Sequence, residues 1–138
     1  MAFAHVQMVL YRPFLHHISA GGTKQPAITR SYPYAVACVK ANRNIVRIMK
    51  DMENRAILSG PYWFTIYSTF FATISLVFHV WDNIHDDRAL ESLKYAESGR
   101  DMLLILAYRN MAAARCAATL SVSISFQASS INGVFMYT

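Results

Sequence analysis

Five histidines and two cysteines are the side chains with which this 138-residue chain could hold a metal or attack a substrate. His79, Asp82 and His85 come nearest to a ligand set, because spacings of three bring neighbours together around a helix end. That spacing is not the zinc-binding pattern in which two histidines sit one turn apart around a glutamate, and Asp82 falls at an expected helix boundary, where it caps or solvates. His16 and His17 end an apolar stretch and suit helix-terminal carbonyls or solvent. Cys38 and Cys116 lie far apart with no CxxC spacing, so they form neither a disulfide framework nor a zinc cluster. Cys38 sits on an apolar stripe, the place of an inert buried thiol. No GxSxG, GxGxxG or phosphate-binding glycine loop occurs. No catalytic, cofactor-binding or metal residue is assigned, and the chain is expected not to be an enzyme.

The remaining chemistry is electrostatic. The net charge is +5, and it is uneven: the first 60 residues hold eight Lys or Arg against two acids, the rest five against six. Lys40, Arg43, Arg47 and Lys50 recur at helical spacing on the polar side of one segment. Such a stripe offers non-specific phosphate contact, which supplies affinity without sequence information, and a solvated helix face reads the same way. The aromatic and base-reading companions of a recognition module are absent, so no sequence-specific DNA binding is expected.

The elements that would carry these residues follow from pattern and punctuation. Hydrophobic residues make up 54% of the chain and charged residues 15%, against a usual ~25% charged, which excludes intrinsic disorder. The length leaves room for one core and none for a two-domain enzyme. The first segment, to about His17, is followed by a loop over Ser19 to Pro26. A helix after Pro33 carries Cys38, Ala41, Ile45, Ile48, Met49, Met52 and Ala56 on one face, with Gly60 expected to end it and Pro61 to open the next. Residues 61–81 carry no charge and, at 1.5 Å per residue, span about 32 Å as a helix, enough to cross a bilayer. Thr65, Ser68, Thr69, Thr73, Ser75 and His79 dilute its apolarity, which favours a core helix of a soluble domain. A helix from Asp86 through Leu106 follows, weakened by Gly99, and then an Ala-rich helix from about Asn110. From Leu120 onward, apolar and serine positions alternate with a strand-like period of two that does not fit the helical pattern before it, and no element is assigned to this tail.

One stretch is recognisable. His5 to His16, with Leu10-Tyr11-Arg12-Pro13-Phe14-Leu15 at its centre, resembles the helix-ending signature of the regulatory middle domain of fungal zinc-cluster transcription factors. The succession of later segments is also similar to that family: a helix opening at Cys38-Val39-Lys40-Ala41, an aromatic-rich helix opening at Pro61-Tyr62-Trp63, a helix over Ala89 to Leu106, and Ala112 to Cys116. Arg12, Pro13, Phe14 and Leu15 form the family's fold motif. Pro13 stops or kinks its helix, so Phe14 and Leu15 are aimed into the core.

The expected fold class is therefore all-α, an irregular helical domain fragment of about five helices. Residues 1–119 are assigned to a partial regulatory domain and residues 120–138 to a tail outside its native fold. The resemblance implies regulation of transcription in the nucleus. DNA is expected as a partner only through a six-cysteine zinc cluster missing from this chain, and zinc only there. Protein partners or self-association are expected through exposed apolar surface, with Phe3, Val6, Leu10 and Phe14 partly uncovered because neighbouring helices are expected upstream. A membrane is not expected. The alternative is a small single-pass membrane protein with residues 61–81 as its span.

Overall fold

The computed structural model describes residues 1–13, 26–57, 63–84 and 87–136. Five helices run in order among them: α1 (Ala2–Tyr11), α2 (Pro26–Asn54), α3 (Trp63–Asp82), α4 (Asp87–Ala107) and α5 (Met111–Met136). The fold is all-α, the class expected from the sequence as a whole. Helix α3 is the centre, packing against α2, α4 and α5, while α1 lies on α2. Val46 of α2, Ile66 and Leu76 of α3, Leu103 of α4, and Leu120 and Ile124 of α5 meet in one apolar cluster.

An interior helix rich in Ser and Thr must satisfy its hydroxyls, and α3 does so locally at Thr73 and Ser75, whereas the buried Thr69 hydroxyl makes no hydrogen bond among the described residues. The Thr73 hydroxyl donates to the Thr69 carbonyl (2.7 Å) and the Ser75 hydroxyl to the Phe71 carbonyl (2.7 Å). These bonds to the preceding turn remove most of the desolvation penalty of a buried hydroxyl. Among the described residues, α3 is the one helix long and apolar enough to cross a membrane by length and composition, yet 61% of that stretch is buried inside the protein. Its outer face carries Trp63, Tyr67, Phe71, Phe78 and Trp81, all exposed.

Three expectations need correction. The long helix begins at Pro26, not after Pro33, which lies within it. Proline is favoured in a first helical turn, where Pro26 sits, whereas Pro33, exposed and inside the helix, removes one backbone donor from it. The same helix ends at Asn54 and does not reach Gly60. Ala56 takes the left-handed conformation (φ 55°), its N–H bonding to the Glu53 carbonyl (2.9 Å) and that of Ile57 to the Met52 carbonyl (3.0 Å). Those two bonds close the helix in the manner usually reserved for glycine. Ala56 is accordingly exposed and not part of the apolar face.

The third correction concerns residues 120–136, whose strand-like alternation lies within a helix. Of the alternating apolar positions, Leu120 and Ile124 are buried while Val122 and Phe126 are exposed. Gln127 and Ile131 complete the inward stripe, so the operative spacing is three to four. Serine hydroxyls of this segment are held by the helix itself: Ser121 and Ser123, from the alternating run, donate to the Ala117 and Thr119 carbonyls, and further along Ser129 donates to Ser125 and Ser130 to Phe126. Asn110 caps the start of α5, accepting from the N–H groups of Ala112 (2.8 Å) and Ala113 (3.3 Å).

Helix α1 ends at Tyr11, and Arg12 continues the turn with its N–H on the Met8 carbonyl, so the chain leaves the α-helix at Arg12-Pro13. The Arg12 guanidinium lies 5.8 Å from the Phe71 ring centroid. Phe14 and Leu15 fall outside the described residues, as do His16, His17 and His85. Ala4 and Met8 face inward, whereas Phe3, Val6 and Leu10 are exposed as expected.

Candidate anion-binding groove

The basic stripe on α2 divides by function once α4 is in place. Arg43 does not face solvent as a free cation. One arm of its guanidinium pairs with Glu91 (2.8 Å), and the other donates to the Ser92 hydroxyl (2.9 Å) and the Arg88 carbonyl (3.3 Å). The same group lies over the Tyr95 ring, 5.5 Å from its centroid. Planar, five-donor arginine suits this several-way tie, which lysine cannot reproduce. Arg43 therefore joins α2 to α4 and fixes Tyr95.

Lys40, Arg47 and Lys50 remain exposed on α2, and Lys94 joins them from α4. Among the described residues, none of these four makes an ion pair. Arg47 donates to the Asn44 side-chain oxygen (2.9 Å). The four line two adjoining cavities. One, of about 440 Å³, is walled by Gln7, Ala37, Lys40, Ala41, Arg43, Asn44, Arg47 and Tyr95. The other, of about 320 Å³, is walled by Val46, Arg47, Lys50, Lys94, Tyr95 and Ser98. Arg47 and Tyr95 belong to both, so the cavities form one groove along the α2–α4 seam. Sequence reading found the α2 cations but missed Lys94, Tyr95, Ser98 and Gln7, which lie on other helices and carry no spacing signal that links them to α2.

Both cysteines are buried. The Cys38 thiol donates to the Met8 carbonyl (3.8 Å) and accepts from the Asn42 amide (3.7 Å). Burial pushes its pKa up from 9.0 to about 11, against smaller lowering effects of Asn42 and Arg12. Burial also raises that of Cys116. Among the described residues, no group of three or more His, Cys, Asp or Glu is placed to hold a metal. His79 is buried in α3, and the set His79, Asp82 and His85 includes a residue outside the described range.

A serine–histidine contact joins α1 to α3. Ser68 lies 3.1 Å from His5 Nδ1, and the His5 ring packs edge-on to Phe64 at 5.1 Å. Ser68 is only 1% exposed, so its hydroxyl is closed to a substrate and the pair ties α1 to α3. The groove, by contrast, is open and lined by cations from two helices.

No family model matches the chain, and no solved structure matches it. Curated relatives do. Activator of stress genes 1 of Saccharomyces cerevisiae is 31% identical over 120 residues, which is 83% of this chain and 12% of that protein. Activator of stress genes protein 1 of Candida albicans is 34% identical over 79 residues, 57% of this chain and 8% of that protein. A Saccharomyces cerevisiae protein named as a transcriptional regulatory protein is 32% identical over 75 residues, 54% of this chain and 10% of its own length. The chain thus spans about a tenth of the curated relatives it matches, and what it resembles is a segment of fungal transcription regulators.

Proposed function

We propose that this chain is part of the helical regulatory region of a fungal transcription regulator of the zinc-cluster kind, working in the nucleus and not as an enzyme. The observation that carries the reading is the match to Activator of stress genes 1 over 83% of the chain. The all-helical scaffold and the turn out of the α-helix at Arg12-Pro13 agree with it. In this reading, DNA and zinc are met by a six-cysteine module elsewhere in a longer protein. The exposed apolar residues of α1 and α3 are then covered by neighbouring helices of that protein or by a second copy, since apolar patches beyond a few hundred Å² seldom stay bare.

The test is a chimera in which this chain replaces the matching segment of the Saccharomyces cerevisiae relative. Reporter transcription under that regulator's control is expected to persist. A chimera that is abundant, nuclear and bound at its promoter but leaves the reporter unregulated would refute the reading. The membrane alternative rests on the length and composition of α3. Alkaline carbonate extraction separates the two, and the chain is expected in the supernatant.

A further inference from the structure

We propose that the α2–α4 groove binds a small organic polyphosphate. Lys40, Arg47 and Lys50 from α2 and Lys94 from α4 line adjoining cavities of about 440 and 320 Å³, the size of small-molecule sites. Ten residues of helix separate Lys40 from Lys50, so the cations spread over about 15 Å along the seam. None of the four has an acidic partner among the described residues. Unpaired cations held together repel one another, and one ligand carrying several negative charges relieves them all. Phosphate groups bring the most charge for their size, up to about −2 each, and accept from the fork of Arg47 and the ammonium groups alike.

The site is also built before a ligand arrives. Arg43 is held by Glu91, Ser92 and the Arg88 carbonyl, and it fixes Tyr95 as the wall common to both cavities. Gln7, Asn44 and Ser98 add neutral donors along the groove, and Ala37, Ala41 and Val46 give it an apolar floor for an organic body. A concave seam flanked by Glu91 suits a compact ligand better than the rod of a nucleic-acid backbone. The inference stands on the groove's own residues and does not depend on a role in transcription.

Isothermal titration calorimetry of the full chain with tripolyphosphate and with ATP at physiological salt tests it. Saturable one-to-one binding of ATP is expected, weakened about tenfold or more by Lys50→Gln with Lys94→Gln, since a charge-assisted contact is worth at least that factor. Arg109→Gln, at an exposed cation outside the groove, should leave it unchanged. Helical circular dichroism and the melting transition check that the double variant folds, and Lys40→Gln serves in its place if it does not. Binding of both probes shows that phosphate itself is read, and binding of ATP alone shows that the apolar floor contributes. The proposal is overturned by no saturable binding, by tripolyphosphate binding without ATP, by equal weakening in Arg109→Gln, or by a short DNA duplex displacing ATP at equal phosphate concentration.

Discussion

Gly99 of α4 lies directly on Thr73 of α3, so closely that a Cβ at position 99 would overlap the threonine hydroxyl and come within 3.3 Å of its Cβ. The glycine that weakens α4 in isolation is what lets α4 approach the central helix. Gly99→Ala should therefore destabilise the protein despite the gain of about 1 kcal/mol in helix propensity, because overpacking a close contact costs about 1–3 kcal/mol. Urea unfolding checks it, and the loss should shrink when Thr73→Ala removes the obstructing hydroxyl. An equal loss in both backgrounds would show that the contact is not the cause.

Ala56 holds a left-handed backbone that glycine adopts freely. Ala56→Gly should stabilise the protein by about 1 kcal/mol, the usual penalty of that conformation for a residue with a Cβ, less the extra entropy of an unfolded glycine. Thermal melting should show a rise of a few degrees. A fall would mean that the bonds of Ala56 and Ile57 to the end of α2 do not close the helix.

Ile124 is 2% exposed and Val122 is 73% exposed. Ile124→Ala should cost about 2–5 kcal/mol by emptying a core position, whereas Val122→Ala should stay within about 0.5 kcal/mol. A strand in this region would place both on one face and make the two losses similar, so the pair of variants tests the helix directly.

Cys38 should resist alkylation near neutral pH, because burial holds its thiol protonated to about 11. The folded pKa lies above the ordinary 9.0, so the native state keeps a proton that the unfolded state loses. The contribution of this group is complete below pH 9.0 and declines as pH rises towards about 11. Cys38→Ser should flatten that alkaline decline in a series of urea titrations, and native-state labelling of Cys38 should appear only with unfolding.

Much of this molecule could be read along the chain. Helical spacing alone placed Cys38, Ile45 and Met49 on the buried face of α2, and all three are buried. The apolar aromatic run of residues 63–82 became the central helix, and the Arg12-Pro13 break falls where α1 ends. These are local properties, set by side-chain period and by a proline that cannot donate. What the chain could not announce depends on which helices become neighbours. The serine-rich segment after Leu120 alternates like a strand, and only its docking on α3, with Gln127 donating to the Val77 carbonyl (3.5 Å), makes helix the better burial. The role of Gly99 exists only because Thr73 faces it. Arg43 reads as one of four equivalent cations until Glu91 and Ser92 come to it across the α2–α4 seam. Lys94 enters the groove for the same reason: a binding surface built from two helices is a property of their packing, and no periodicity within either one encodes it.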